Sequence, residues 1–266
     1  MRVLSGVAHG LFAPDRAFAF RVASGVSLFA LLALQVAAVV AGETMILWRT
    51  GGTELRRIAL VESRHVAEQR STSFAEPEDV DRRQAAAYRR LTAPTGAVAK
   101  TAAVLVSGLV LPVAVVLTWL AFLVLAQFFG GEEPRVPGRP RPSIRLVAVA
   151  FAPLALRRLA SGAATLAVID PAAAAAGATT VAAFRERATV RFDLAALVDA
   201  IPAGFVERAA VLLTDPFGLW ALAVLASGAA ALLRLPAPRA LALTAVIAAL
   251  WTLFDTVAGG RWALLA

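Results

Sequence analysis

Catalysis or ligand binding needs groups that titrate, coordinate or attack, and this sequence offers few of them in useful spacing. Cysteine is absent, which excludes disulfides, thiolate metal sites and cysteine nucleophiles. The two histidines, His9 and His65, do not stand at H-x-x-x-H spacing, so a histidine-based metal centre is not expected and both read as solvated side chains. No Gly-rich phosphate loop, G-x-S-x-G turn or plausible pair of catalytic carboxylates emerges from the apolar blocks. Ser24, Ser107, Ser161 and Ser227 are each followed by glycine. Small pairs of this kind suit close crossings of membrane helices better than nucleophilic catalysis, and chance in an Ala/Gly-rich sequence would produce them about as readily. The residues that do stand out are Arg157, Arg158 and Asp255, ionisable groups inside apolar blocks. Each such charge at mid-span costs about 2.5–3.5 kcal/mol unless something compensates it. A chain with this inventory is expected to be no enzyme, with no metal and no cofactor.

The elements that carry these residues are read from composition first. Hydrophobic residues make up 59% of the 266 and charged residues 17%, and mean hydropathy is +0.74. Ordinary soluble domains run near 45–50% apolar and about 25% charged, so the excess apolar surface calls for lipid. The formal charge of +8 is spread over connecting segments without an aromatic-interleaved basic patch. Nucleic acid is therefore not expected, and anionic lipid headgroups are the better counter-charge.

Five apolar blocks predict an all-α, polytopic membrane fold in one membrane domain, 1–266, with spans near 22–47, 101–129, 146–169, 217–233 and 240–257. Asp15, Arg16 and Arg21 separate Arg2 from the first block, which argues for a retained anchor rather than a cleavable signal. Trp48 follows that block where an interfacial aromatic belongs. The polar stretch 49–100 holds ten basic and seven acidic residues; helical spacing at 54–70 and 79–91 predicts two amphipathic helices broken near 71–77. Pro112 sits inside the second block, tolerated as a kink. Gly130-Gly131 should end that helix, and residues 130–145, with four prolines and four arginines, should be an exposed connector. Arg157-Arg158 interrupts the third block. Residues 170–216 read as an interfacial segment, with an extra crossing over 172–184 as the alternative. Asp215-Pro216 has the form of a helix start, Asp capping and Pro first, with Trp220 a belt residue one turn on. The short link 234–239 forces a helical hairpin. Arginines in the short, acid-poor connectors favour a cytoplasmic N-terminus and an outside C-terminus, with 49–100 outside.

The phrases that punctuate these blocks resemble those of bacterial members of the Yip membrane-domain family, named for proteins that bind Rab-type GTPases. The resemblance opens with L-F-A-P-D-R-A-F-A-F-R, including Pro14 and Phe18, before the first span. It continues with L-V-L-A-Q-F-F-G-G ending in Gly130 and Gly131, and V-A-F-A-P-L-A-L containing Pro153. L-T-D-P-F-G-L-W, with Asp215, Phe217 and Trp220, and P-R-A-L-A-L follow. It covers roughly residues 11–254 and departs at Arg157-Arg158 and the Ala-rich run 171–177. It implies a five-span helical fold with a cytoplasmic N-terminus, in a bacterial inner membrane.

In a five-span bundle the third and fifth helices both run outward from the cytoplasmic face. At a rise of 1.5 Å per residue, Arg157 and Arg158 then lie roughly 17–18 Å deep and Asp255 roughly 22 Å deep. Asp255 is the only acid of the fifth block, so one of the two arginines is expected to pair with it; snorkelling to the outer interface is the rival. The expected function is a Yip-type membrane protein that binds partners, scaffolds or organises the bilayer. Beyond lipid, its partners would be other membrane proteins or a second copy. A transport or channel component using the intramembrane charges, and an accessory subunit of a larger complex, are the alternatives.

Overall fold

The computed structural model describes residues 27–70, 77–92, 97–131, 142–192 and 205–257. They form α-helices, and no strand occurs among the described residues. In chain order these are α1 (Leu28–Thr50), α2 (Thr53–Arg70), α3 (Pro77–Thr92), α4 (Ala97–Phe128), α5 (Pro142–Ala150) and α6 (Ala152–Val168). There follow α7 (Pro171–Ala176), α8 (Val181–Arg187), α9 (Phe205–Thr214), α10 (Pro216–Leu233) and α11 (Ala237–Val257). Among the described residues five segments are long and apolar enough to cross a membrane: Leu28–Thr50, Val104–Phe128, Pro142–Val168, Pro216–Leu233 and Ala237–Val257. The expected all-α fold with five spanning helices is therefore the observed one. Of the expected spans, the part of the first before residue 27 lies outside the described residues, as do Pro14, Phe18 and the Ser24-Gly25 pair.

The third span is two helices in line. Pro153 has no N–H to give the Val149 carbonyl, and its ring crowds that carbonyl. The ladder accordingly breaks at Phe151, whose N–H is shared between Val147 O at 3.1 Å and Ala148 O at 3.3 Å. This span is also the most enclosed: 72% of its most apolar stretch is buried, against 33–44% in the other four. A helix surrounded by other helices is where arginine can find protein partners instead of lipid.

Contacts among the described residues gather into two units, one drawn from Met1–Val39, Ser107–Arg157 and Phe192–Ala266, the other from Val40–Val106 and Arg158–Arg191. In the first, α5 is the centre: Leu146 to Ala150 are all buried, packed with Leu31 of α1, Phe122 of α4, Leu225 of α10 and Leu243 and Ile247 of α11. Because hydrocarbon offers no hydrogen bonds, the polar atoms of these faces answer one another. Gln35 Nε2 donates to Ala148 O (2.6 Å), Trp119 Nε1 to Ser143 Oγ (2.9 Å) and Trp251 Nε1 to Thr118 Oγ1 (2.7 Å). Leu105, Leu109, Val124, Leu241 and Leu253 stay exposed, the large apolar surface expected of helices facing lipid.

In the second unit α2 packs on α3 and on the two short helices α7 and α8. Leu55, Ile58 and Ala59 of α2 meet Ala175, Val181, Phe184 and Ala188. Glu62 Oε2 accepts the N–H of Val181 at 2.8 Å. The two amphipathic helices read from 49–100 are present as α2 and α3, within a residue or two of their expected limits. The alternative crossing over 172–184 is not formed. Gly177–Thr180 separates helices of six and seven residues, each with its own cap, Asp170 before Pro171 and Thr180 before Val181. Neither is long enough to span.

Candidate functional site

Asp215 stands at the corner where α9 ends and α10 begins. Its N–H closes α9 on Val211 O, its carbonyl opens α10 by accepting from Leu219, and Oδ1 caps α10 by accepting the Phe217 N–H at 3.0 Å. Pro216 fills the first helical position, where a missing N–H costs nothing. The expected helix start is thus observed, and it has a second task. Asp215 Oδ2 lies 2.9 Å from Arg157 Nε, the two side chains only 1% and 6% exposed. One carboxylate therefore answers both a helix N-terminus and a buried guanidinium.

Arg158 follows Arg157 on α6 but points elsewhere, since successive helical residues are about 100° apart. It pairs with Glu43 of α1 through Nε and Nη2. The helices can cross there because glycine meets glycine. A Cβ on Gly42 would stand 2.3 Å from Arg158 O, and one on Gly162 would stand 2.5 Å from Gly42 O. Of the Ser-Gly pairs, Ser161-Gly162 thus sits at a close helix crossing; its opposite number is Gly42, not another Ser-Gly pair. Gly228 also lies tight, against the Leu146 side chain.

Asp255 is buried near the C-terminal end of α11, and its partner is Arg208 of α9. The expected pairing of Arg157 or Arg158 with Asp255 is corrected: each arginine has an acid of its own, Asp215 and Glu43, and Asp255 takes a third arginine. Partners for Asp255 are sought in the sequence among arginines inside apolar blocks, whereas Arg208 belongs to a ten-residue amphipathic helix too short to be a span. Glu43 carries a signal of its own, being an acid inside the first apolar block as Asp255 is inside the fifth. The outcome is three mutually neutralised pairs, Arg157–Asp215, Arg158–Glu43 and Arg208–Asp255.

Beside Asp255 an apolar groove of about 350 Å³ runs between α4 and α11, lined by Ala114, Leu117 and Ala121 on one side and Leu250, Trp251 and Phe254 on the other. Phe151 and Leu154 form its buried inner wall. Phe151 meets Trp251 edge to face, centroids 5.0 Å apart.

Other residues singled out in the sequence, where they fall among the described residues, sit at helix ends and packing contacts. Gly130, at φ +75°, and Gly131 close α4 with the paired bonds of a Schellman cap, Gly131 N–H to Ala126 O and Gly130 N–H to Gln127 O. Pro153 breaks the third span. Phe217 packs edge to face on Phe192, and Trp220 is half-buried against the core of the first unit. In the second unit, burial lowers the pKa of Arg185. Among the described residues no group of three or more His, Cys, Asp or Glu could hold a metal ion. Comparison with family models, curated proteins and solved structures finds no match for this chain.

Proposed function

We propose that this chain is a non-enzymatic, multi-pass protein of a bacterial inner membrane, of the Yip type, that works as a scaffold: it binds other membrane proteins or a second copy, or organises the bilayer. The observation that carries this reading is the closure of the intramembrane charges into pairs. A transporter needs charge that can exchange its partner for cargo. Arg157, Arg158 and Asp255, the residues that motivated that alternative, are each occupied by a protein group. The exposed polar surface lies instead on α2 and α3, where Arg57, Arg64 and Arg82 stand outward in ion pairs open to water. Such pairs hold little stability, which leaves the face available to a partner. The N-terminus would be cytoplasmic and this helical pair outside, the arrangement that the arginine-rich short connectors favour.

The experiment combines mild-detergent purification with reconstitution. Stable association with a second copy or another membrane protein, weakened by R64E/R82E, or a change in vesicle shape on reconstitution, is expected. A lone, monodisperse species that leaves vesicles unchanged would count against the reading, and solute flux abolished by neutralising Arg157 or Asp255 in a folded variant would replace it with transport.

A further inference from the structure

We propose that the groove between α4 and α11 is a binding site for a diacylglycerol-class lipid, its acyl chain in the groove and its free hydroxyl at the Asp255–Arg208 pair. The inference rests on the spanning placement of these helices and not on partner binding.

Length is the first argument. On α11 the lining runs from Ile247 to Val257, ten helical rises or about 15 Å. That is half of a hydrocarbon core about 30 Å thick, one leaflet's worth of acyl chain. Direction is the second. Asp255 lies two residues from the end of α11, about 3 Å along the axis, so the polar end of the groove is at the level where a lipid keeps its polar end. Leu117, Leu250, Leu253 and Phe254, all exposed, make the rim, which opens sideways to lipid.

Hydrogen-bonding capacity selects the head. Asp255 is buried, yet its Oδ1 has no hydrogen-bond partner, and neither has the buried Nε of Arg208. Leaving such atoms unsatisfied forfeits the hydrogen bonds they would make with water, a loss that is greater for charged groups. Of the two residues, Asp255 lines the groove, and its open acceptor Oδ1 calls for a donor, which a hydroxyl supplies. The pair is already neutral, so an ionic head would add an uncompensated charge to an apolar site. A headgroup phosphate would also stand beside the Asp255 carboxylate. An uncharged glycerolipid with one free hydroxyl meets all of these conditions.

The test uses the full chain in phosphatidylcholine vesicles carrying a photoactivatable diacylglycerol, with cross-linked peptides mapped by mass spectrometry. Cross-links are expected on 114–121 and 247–257, competed by unlabelled diacylglycerol. The competitor with its hydroxyl methylated should be weaker by about tenfold, the effect of one lost hydrogen bond in a buried site. Phosphatidylglycerol should not compete. A121F fills the groove away from the ion pair and should remove the cross-links; L117F, at a more exposed position, does the same if A121F fails to fold. The proposal is overturned by equal competition from the methylated lipid or from phosphatidylglycerol, or by cross-links that survive both groove-filling variants. Because the readout is lipid cross-linking, its failure leaves the scaffold reading standing, and a lone monomer would leave the lipid site standing.

Discussion

Replacing Asp215 separates its two tasks. Asn is as good an N-cap as Asp, so D215N keeps the bond to the Phe217 N–H while removing the charge that faces Arg157. Both side chains are almost fully enclosed, so solvent screens the pair little. Stripping one member from a buried pair costs about 3–5 kcal/mol, most of it the penalty of the charge left behind. D215A loses the cap as well, about 1 kcal/mol more. R157M should cost less than D215N, because Asp215 would still sit on the N-terminus of α10, where the helix dipole favours an anion. In the double variant D215N/R157M neither charge remains, and the loss should fall short of the sum of the singles by at least about 2 kcal/mol. Reversible unfolding of the purified protein in mixed detergent and sodium dodecyl sulfate micelles measures all four proteins on one scale. Additivity within about 0.5 kcal/mol would refute the pair, since uncoupled sites add to within that range.

Other perturbations follow from the same geometry. D255A should be partly rescued by R208M and not by R158M; rescue by R158M in the same unfolding assay would restore the pairing expected from sequence. G42A places a methyl 2.3 Å from a carbonyl oxygen of α6 and should lower stability by about 1–3 kcal/mol through forced separation of the helices, whereas a thermal melt unchanged by G42A would show that the crossing is looser than described. Arg234 closes α10 in the left-handed region, φ 54°, a conformation that costs a side-chain-bearing residue about 1–2 kcal/mol, so R234G should raise the melting temperature; a fall would mean that the Arg234 side chain holds the link to α11.

Features that depend on near neighbours along the chain are legible in the sequence itself. Helix limits follow the apolar blocks because lipid and core both demand runs of apolar residues, and the stops at Gly130-Gly131 and Asp215-Pro216 follow from local backbone chemistry. The pairing of charges is not legible in the same way. Arg157 and Asp215 are distant in sequence, and helical rise alone gives depth, not direction around the axis. Even that depth assumes one ideal helix from Leu146, while the real span begins at Pro142 and breaks at Phe151. Arg208 is hidden because 170–216 reads as interfacial throughout. Glu43 alone is recoverable, by asking of every charge inside an apolar block where its partner lies.

Five crossings require successive connectors to alternate sides, and the absence of cysteine makes the measurement direct, since single cysteines can be placed in an otherwise cysteine-free chain. Cysteines at Ser5, Ser71, Val136, Ala237 and Ala263 report both ends and three connectors. With a membrane-impermeant thiol reagent outside intact cells, Ser71 and Ala263 positions should react, while Ser5, Val136 and Ala237 positions react only after permeabilisation. The mirror pattern would keep five spans and reverse the orientation; reaction of the Ser5 and Ala263 positions from the same side would contradict an odd number of crossings and with it the five-span fold.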